Sequence, residues 1–188
     1  MLAVPAHVAR SILAVPTAIE ERLLSVGYAA TIHIALGLSP TWRLPESLRG
    51  VYGCLLAPSE RGRLAALTFE SGRGLTDGAG EVVSIMLGHE TAIRAIALPD
   101  DAIVREVVAE LSAWLPGISG AIDSAHVQRW PAAEPLSLVG RARAIAEYRA
   151  TLPDSRRILL AGDYLGSPWT DGAAETGTWA ARRLLAVC

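Results

Sequence analysis

The residues of this chain whose types and spacing suit chemistry lie in Ile158–Leu185, which reads ILLAGDYLGSPWTDGAAETGTWAARRLL. Ile158-Leu159-Leu160-Ala161 is a short apolar run suited to a buried strand, stopped by Gly162. Asp163 then places a carboxylate at the strand's carboxyl end, where open α/β sheets bind their ligands. After a loop holding Gly166 and Pro168, Thr170 or Asp171 can cap a helix. Its first turn contains Gly172 and Ala173, side chains too small to screen the free backbone N–H groups, and such a helix end attracts an anion. Ala173, Gly177 and Ala181 recur every four residues, so one helix face is nearly smooth and can lie close against a sheet or a flat ligand. The same residues also suit a close-packed helix with a surface aspartate, and spacing leaves both readings open.

The elements upstream must position that stretch. Leu2–Pro5 reads as a short strand, and Ala6–Leu24 as helical, with Val8, Ile12, Val15, Ile19 and Leu23 on the apolar side and a break or kink at Pro16. Tyr28–Leu38 alternates and carries β-branched residues, so it is a strand, with His33 inside it as a hydrogen-bonded or exposed residue rather than a ligand. Val51–Pro58 and Arg63–Glu70 form an antiparallel hairpin across Ser59-Glu60-Arg61-Gly62. Leu75–Gly80 is a Gly-rich loop and Glu81–Gly88 another strand. Pro99–Leu115 is a helix started by Asp100 and Asp101, with Ile103, Val107, Val108, Leu111 and Leu115 inward. Ala125–Trp130 is a strand, Pro131–Val139 a proline-punctuated loop, and Gly140–Leu152 a helix leading back to the C-terminal stretch.

Composition removes several kinds of function. At 188 residues the chain can bury a substantial core, and 17 basic residues against 19 acidic ones, without a basic run, argue against nucleic acid as a partner. The sequence contains no lysine, which excludes a Schiff base, a pyridoxal site and a phosphate-loop lysine supplied by this chain. Cys54 and Cys188 are too few for a disulfide framework or a four-cysteine zinc site, and fit a reducing, cytoplasmic setting. No stretch approaches the ~20 uninterrupted apolar residues of a membrane span. A hydrophobic content of 51% with mean hydropathy +0.33 is high for such a chain, so some apolar surface is expected to meet a partner. Gly117-Ile118-Ser119-Gly120 is no nucleophile elbow, His89-Glu90 has no second histidine four residues on, and Gly72-Arg73-Gly74 misses the dinucleotide fingerprint. No metal-ligand spacing and no catalytic residue stand out.

The segment AGDYLGSPWTDGAAETGTWAA resembles the C-terminal flavin-binding motif of the flavin-containing amine oxidase and protoporphyrinogen oxidase superfamily. LAVPAHVARSIL is similar to the strand and helix by which that family's chain leaves its FAD domain, and GVYGCLLAPSERGRLAALTFES to the substrate-domain hairpin of protoporphyrinogen oxidases. HVQRWPAAEPL is similar to their Arg-Trp segment returning to the FAD domain. The resemblance implies an α+β fold: a mixed, largely antiparallel sheet with flanking helices as the substrate domain, plus a partial α/β FAD-domain remnant. The expected divisions are 1–24 as FAD-domain remnant, 25–124 as substrate-binding domain and 125–188 as the return segment with the flavin-contacting strand, loop and helix. The family begins with a βαβ unit bearing a glycine-rich pyrophosphate loop, which these residues do not contain. The expectation is therefore a truncated oxidoreductase, or one subunit of a split enzyme whose partner chain brings the FAD-binding Rossmann half.

The resemblance also implies residue roles. Gly162, Asp163, Thr170, Gly172 and Ala173 form the expected cofactor-binding set. Asp163 would accept a hydrogen bond from a ribityl hydroxyl of FAD, Gly162 would permit close backbone approach, and Gly172 and Ala173 would offer N–H groups to the flavin N1–C2=O edge. Trp169 matches a substrate-facing aromatic position, with a core tryptophan as the alternative. Arg129 and Trp130 match the Arg-Trp pair, as substrate contacts or as packing between domains. Having no counterpart to the lysine many amine oxidases place near the flavin, the chain is expected to act on a small apolar or aromatic, porphyrinogen-like substrate. Alone it is expected to bind FAD weakly or not at all and to oligomerise, in the cytoplasm or at a membrane periphery. The alternative is a non-catalytic, apolar-ligand-binding or oligomerising fragment without flavin.

Overall fold

The strict alternation of Tyr28–Leu38 is realised as β2: Ile32, Ile34, Leu36 and Leu38 are buried, while His33, Ala35 and Gly37 point to the other, half-covered face. The computed structural model describes residues 1–57, 62–74, 76 and 80–186, which fall into two units, 1–29 with 132–188 and 30–131. Each unit has its own apolar core. The fold is α+β, with a five-stranded antiparallel sheet and a small parallel sheet.

The sheet takes the order β3-β4-β5-β2-β6, with β3 at Gly53–Leu55, β4 at Leu64–Phe69, β5 at Glu81–Leu87 and β6 at Ile122–Pro135. The expected hairpin is present, with Cys54 opposite Leu67, although Pro58 and turn residues 59–61 lie outside the described residues, as does most of the Gly-rich loop. β5 pairs with β2, Ile34 opposite Ile85 and Leu36 opposite Val83, so one register fills the core from both strands. A β-bulge between Leu64 and Ala66 resets β4 against β5. Helix α4, Asp100–Leu111, presents Ile103, Val107 and Leu111 to this core, followed by Leu115.

Two elements of this unit depart from the sequence expectation. A seven-residue helix α3, His89–Ala95, follows β5 and buries only Ala92 and Ala95, so it shows no periodic row of large residues. β6 runs on through Pro131 to Pro135, where a proline-punctuated loop was expected. It is an edge strand, and a proline there removes no ladder hydrogen bond if its missing N–H points to the free side.

In the other unit, β1, Leu2–Ala3, pairs in parallel with β7, Leu160–Ala161. The expected helix over Ala6–Leu24 is two: α1, Ala6–Ile12, and α2, Ala18–Leu24, separated around Pro16. The buried face of α1 is Ala6 and Ala9, continued by Leu13, whereas Ile12 and Val15 are exposed. The break at Pro16 destroys the common phase on which the expected apolar side depended. α2 starts in a capping box, with the Glu20 N–H donating to Thr17 Oγ1 and the Thr17 N–H to the Glu20 carboxylate. Fully buried Glu20 is also held by Arg156 through contacts of 2.8–3.1 Å, and breaking such a pair costs about 3–5 kcal/mol. Helices α5, Arg141–Thr151, and α6, Thr170–Leu185, complete the unit. Tyr148 of α5 accepts the Leu160 N–H at 3.1 Å, which ties α5 to β7.

Among the described residues, no helix is long and apolar enough to cross a membrane.

Candidate functional site

β7 ends at Ala161, and the chain turns on Gly162 at φ 148°, ψ 169°, a conformation side chains rarely adopt. A Cβ there would also lie 2.7 Å from the Tyr164 ring. Asp163 follows, opening a single 3-10 turn, Asp163–Leu165. Its carboxylate is half-buried and, among the described residues, accepts no hydrogen bond and forms no salt bridge. A carboxylate is therefore held at the carboxyl end of the parallel pair with its acceptor capacity unused.

The turn is clamped from α6 by Thr176, which is fully buried. Its hydroxyl accepts the Gly162 N–H at 2.9 Å, and lies 3.0 Å from the carbonyls of both Gly162 and Ala173. Sequence reasoning passed over Thr176, since a threonine inside a helix reads as neutral filler. The packed stripe of α6 is Gly172, Thr176 and Ala180, one residue round from the smooth face expected of Ala173, Gly177 and Ala181. Both stripes repeat every four residues, and only the first is buried.

The start of α6 also differs. Trp169 occupies the N-cap with no side-chain cap bond, and Thr170 and Asp171 lie inside the first turn, so neither caps it. Gly172 is buried beneath the backbone of Ser167, where an added Cβ would meet the Ser167 oxygen at 2.0 Å. Its own loop thus accounts for that glycine. The Ala173 N–H donates to the Trp169 carbonyl at 3.1 Å and is unavailable to a ligand, leaving Thr170, Asp171 and Gly172 as the first-turn donors without an intrahelical acceptor.

Around Asp163 stand Tyr28, Arg141 and Tyr164, each coupled to it electrostatically. Tyr28 accepts the Ala6 N–H at 2.9 Å, and His7 meets its ring edge-on at 5.7 Å. Burial raises the Tyr28 phenol above its ordinary range, with Asp163 adding to the rise. Burial raises Tyr164 more strongly still, and pulls the Arg141 guanidinium down.

The expected substrate residues are placed separately. Arg129, on β6, donates to the carbonyls of Ile96 at 2.9 Å and Leu98 at 2.7 Å and pairs with Asp100 at 2.6 Å, so it fastens the turn between α3 and α4. Trp130 and Trp169 expose 50% and 66% of their surface, so neither is a core tryptophan of its unit.

Comparison with solved structures shows the same fold. A protein designated a protoporphyrinogen oxidase, from Exiguobacterium sp. 255-15, matches with a TM-score of 0.72 at 18% identity, over 97% of this chain and 40% of that one. A reduced UDP-galactopyranose mutase matches with a TM-score of 0.65 at 15% identity, over 91% and 36%. A putrescine oxidase redesigned in cofactor binding matches with a TM-score of 0.66 at 13% identity, over 99% and 42%. The chain thus spans less than half the length of each. No curated protein sequence matches it. A sequence profile for flavin containing amine oxidoreductases matches residues 1–185, and the chain belongs to that family.

Proposed function

We propose that this chain is the substrate-sheet and flavin-closing portion of an FAD-dependent oxidoreductase, with Asp163 accepting a hydrogen bond from a ribityl hydroxyl. One observation carries the reading: a half-buried carboxylate at the carboxyl end of the β1–β7 pair, without a hydrogen-bond or salt-bridge partner among the described residues. The residues fit the cofactor. Gly162 sets the direction in which Asp163 leaves the strand, and the first-turn N–H groups of Thr170, Asp171 and Gly172 place positive potential near the same loop. FAD, when bound, supplies the two-electron oxidation; the chain's part is to orient the cofactor and shape the substrate's surroundings.

The substrate class that fits is small and apolar or aromatic, with exposed Trp169 as the aromatic contact and no lysine in the sequence for an amine-type site. Arg129 is left out of that role, because its donors are engaged within its own unit. The family's glycine-rich pyrophosphate loop would come from residues outside these 188, in a longer chain or a partner chain.

Fluorescence titration with FAD tests the reading. The chain by itself should bind weakly, and a complex containing the glycine-rich half tightly. In that complex Asp163→Ala should weaken FAD by roughly 1.5–3 kcal/mol, about ten- to a hundredfold, and Asp163→Asn by less. Parent-like FAD affinity in both variants, with a lowered melting temperature, would make Asp163 a structural turn residue and end the proposal.

A further inference from the structure

The residues of α6 that turn away from its packed stripe form a groove of about 490 Å³, lined by Glu175, Thr178, Trp179, Arg182 and Arg183. Spacings of three and four place them along one helix face. Most of that lining is held from behind. Arg149 of α5 grips the Glu175 carboxylate through two bonds, of 3.0 and 2.7 Å, and sets its guanidinium 5.0 Å from the Trp179 ring. Thr178 donates to the Ala174 carbonyl at 2.9 Å. Arg183 donates to the Leu152 carbonyl at 3.1 Å and pairs with Asp154. Side chains fixed in this way make a groove that is formed before any ligand arrives.

Arg182 is the exception. Its guanidinium is exposed and has no hydrogen-bond or salt-bridge partner among the described residues. Glu175 offsets Arg149 and Asp154 offsets Arg183, so the groove keeps one net positive charge. Glu175 stays ionised, because its hydrogen bonds from Arg149 hold the carboxyl below the usual range. Beside that charge lies the half-buried Trp179, with the Tyr148 ring behind it at 5.9 Å and part of its own surface open to the groove. A planar cation next to a fixed aromatic surface suits a flat, singly charged anion. An inorganic phosphate would use the charge and leave the ring bare.

We propose that this groove on α6 binds a small aromatic carboxylate, with its ring against Trp179 and its carboxylate on Arg182. The guanidinium can present two parallel N–H groups to the two carboxylate oxygens. None of these side chains takes part in the flavin reading, so FAD binding can fail while this site stands, and the reverse.

NMR titration of the chain at low salt with 2-naphthoate, and with the neutral 2-naphthamide of the same shape, tests it. At about 0.3 kcal/mol for each non-hydrogen atom, naphthoate should bind with a Kd on the order of 1 mM, and naphthamide roughly fivefold more weakly. Arg182→Met keeps the stem and removes the charge, so it should weaken naphthoate roughly fivefold and leave naphthamide unchanged, with Arg182→Lys in between. Trp179→Leu should weaken both probes by roughly two- to tenfold. Glu175→Gln removes the one carboxylate in the lining and should tighten naphthoate by roughly two- to fivefold, a gain that a merely structural role would not produce. Arg182 and Glu175 are exposed, so these variants should fold and decide the matter even if Trp179→Leu does not. No binding of naphthoate at several times that concentration, equal affinity for the two probes, an unchanged Kd in Arg182→Met, or weaker naphthoate binding in Glu175→Gln would each overturn the site.

Discussion

Thr176 shows how much can depend on one hydroxyl that the sequence does not advertise. It serves the N–H and the carbonyl of Gly162, whose φ of 148° sets the direction in which Asp163 leaves the strand. Thr176→Val keeps the shape and removes the hydroxyl, leaving the half-buried Gly162 N–H without an acceptor. The expected cost is about 1–3 kcal/mol, read from urea unfolding, with a further loss of FAD affinity in the complete complex as the turn loosens. An unchanged urea midpoint would show that Gly162 holds its conformation without help. The placement of Gly162 and Asp163 at the end of the strand was legible, because a glycine stops an apolar run. Arg141 was not, since GRARAIAEYR offers three arginines and only the fold shows which one has an enclosed nitrogen without an acceptor.

At the level of elements, the central strand β2 and the helix α4 followed the sequence closely. β2 has the expected bounds of Tyr28–Leu38, and α4 buries Ile103, Val107 and Leu111 as its spacing required. What escaped was packing by small residues: α1 and α3 bury alanines, and periodicity counted on large side chains has no signal there. On α6 two small-residue stripes lie one residue apart and spacing does not choose between them; the packed one is Gly172, Thr176 and Ala180, and the helix's two glycines make this testable. Gly172→Ala would press a Cβ into the Ser167 backbone, which cannot yield as a flexible side chain would, so destabilisation of about 1–3 kcal/mol is expected. At Gly177 an added Cβ meets nothing within 4 Å, and Gly177→Ala should stabilise the chain by ~0.5–1 kcal/mol through helix propensity. Thermal melts of the two variants should therefore move in opposite directions. A destabilising Gly177→Ala would restore the face first expected from Ala173, Gly177 and Ala181.

At the scale of the whole molecule, the two cores differ in how they should answer to alkali. Tyr28, Tyr148 and Tyr164 all belong to the unit built on the β1–β7 pair, and each phenol is raised above its ordinary value chiefly by burial. Among the described residues, the buried core of the other unit contains no tyrosine. A group whose folded pKa lies above its unfolded value of about 10 holds its proton more tightly in the folded state. Its contribution is fully present below pH ~10 and is lost as the pH rises from there through the folded value, so stability is flat below pH ~10 and falls between the two values. The fall should be confined to the β1–β7 unit. Trp179, whose ring lies 5.9 Å from that of Tyr148, should report it by fluorescence, while the β-sheet signal of the other unit persists to higher pH. Tyr164→Phe removes the most strongly raised of these phenols and should move the alkaline midpoint upward, leaving the neutral-pH spectrum unchanged. A single transition in which both reporters change together, at the same pH in the parent and in Tyr164→Phe, would show that burial of these tyrosines does not set the alkaline limit.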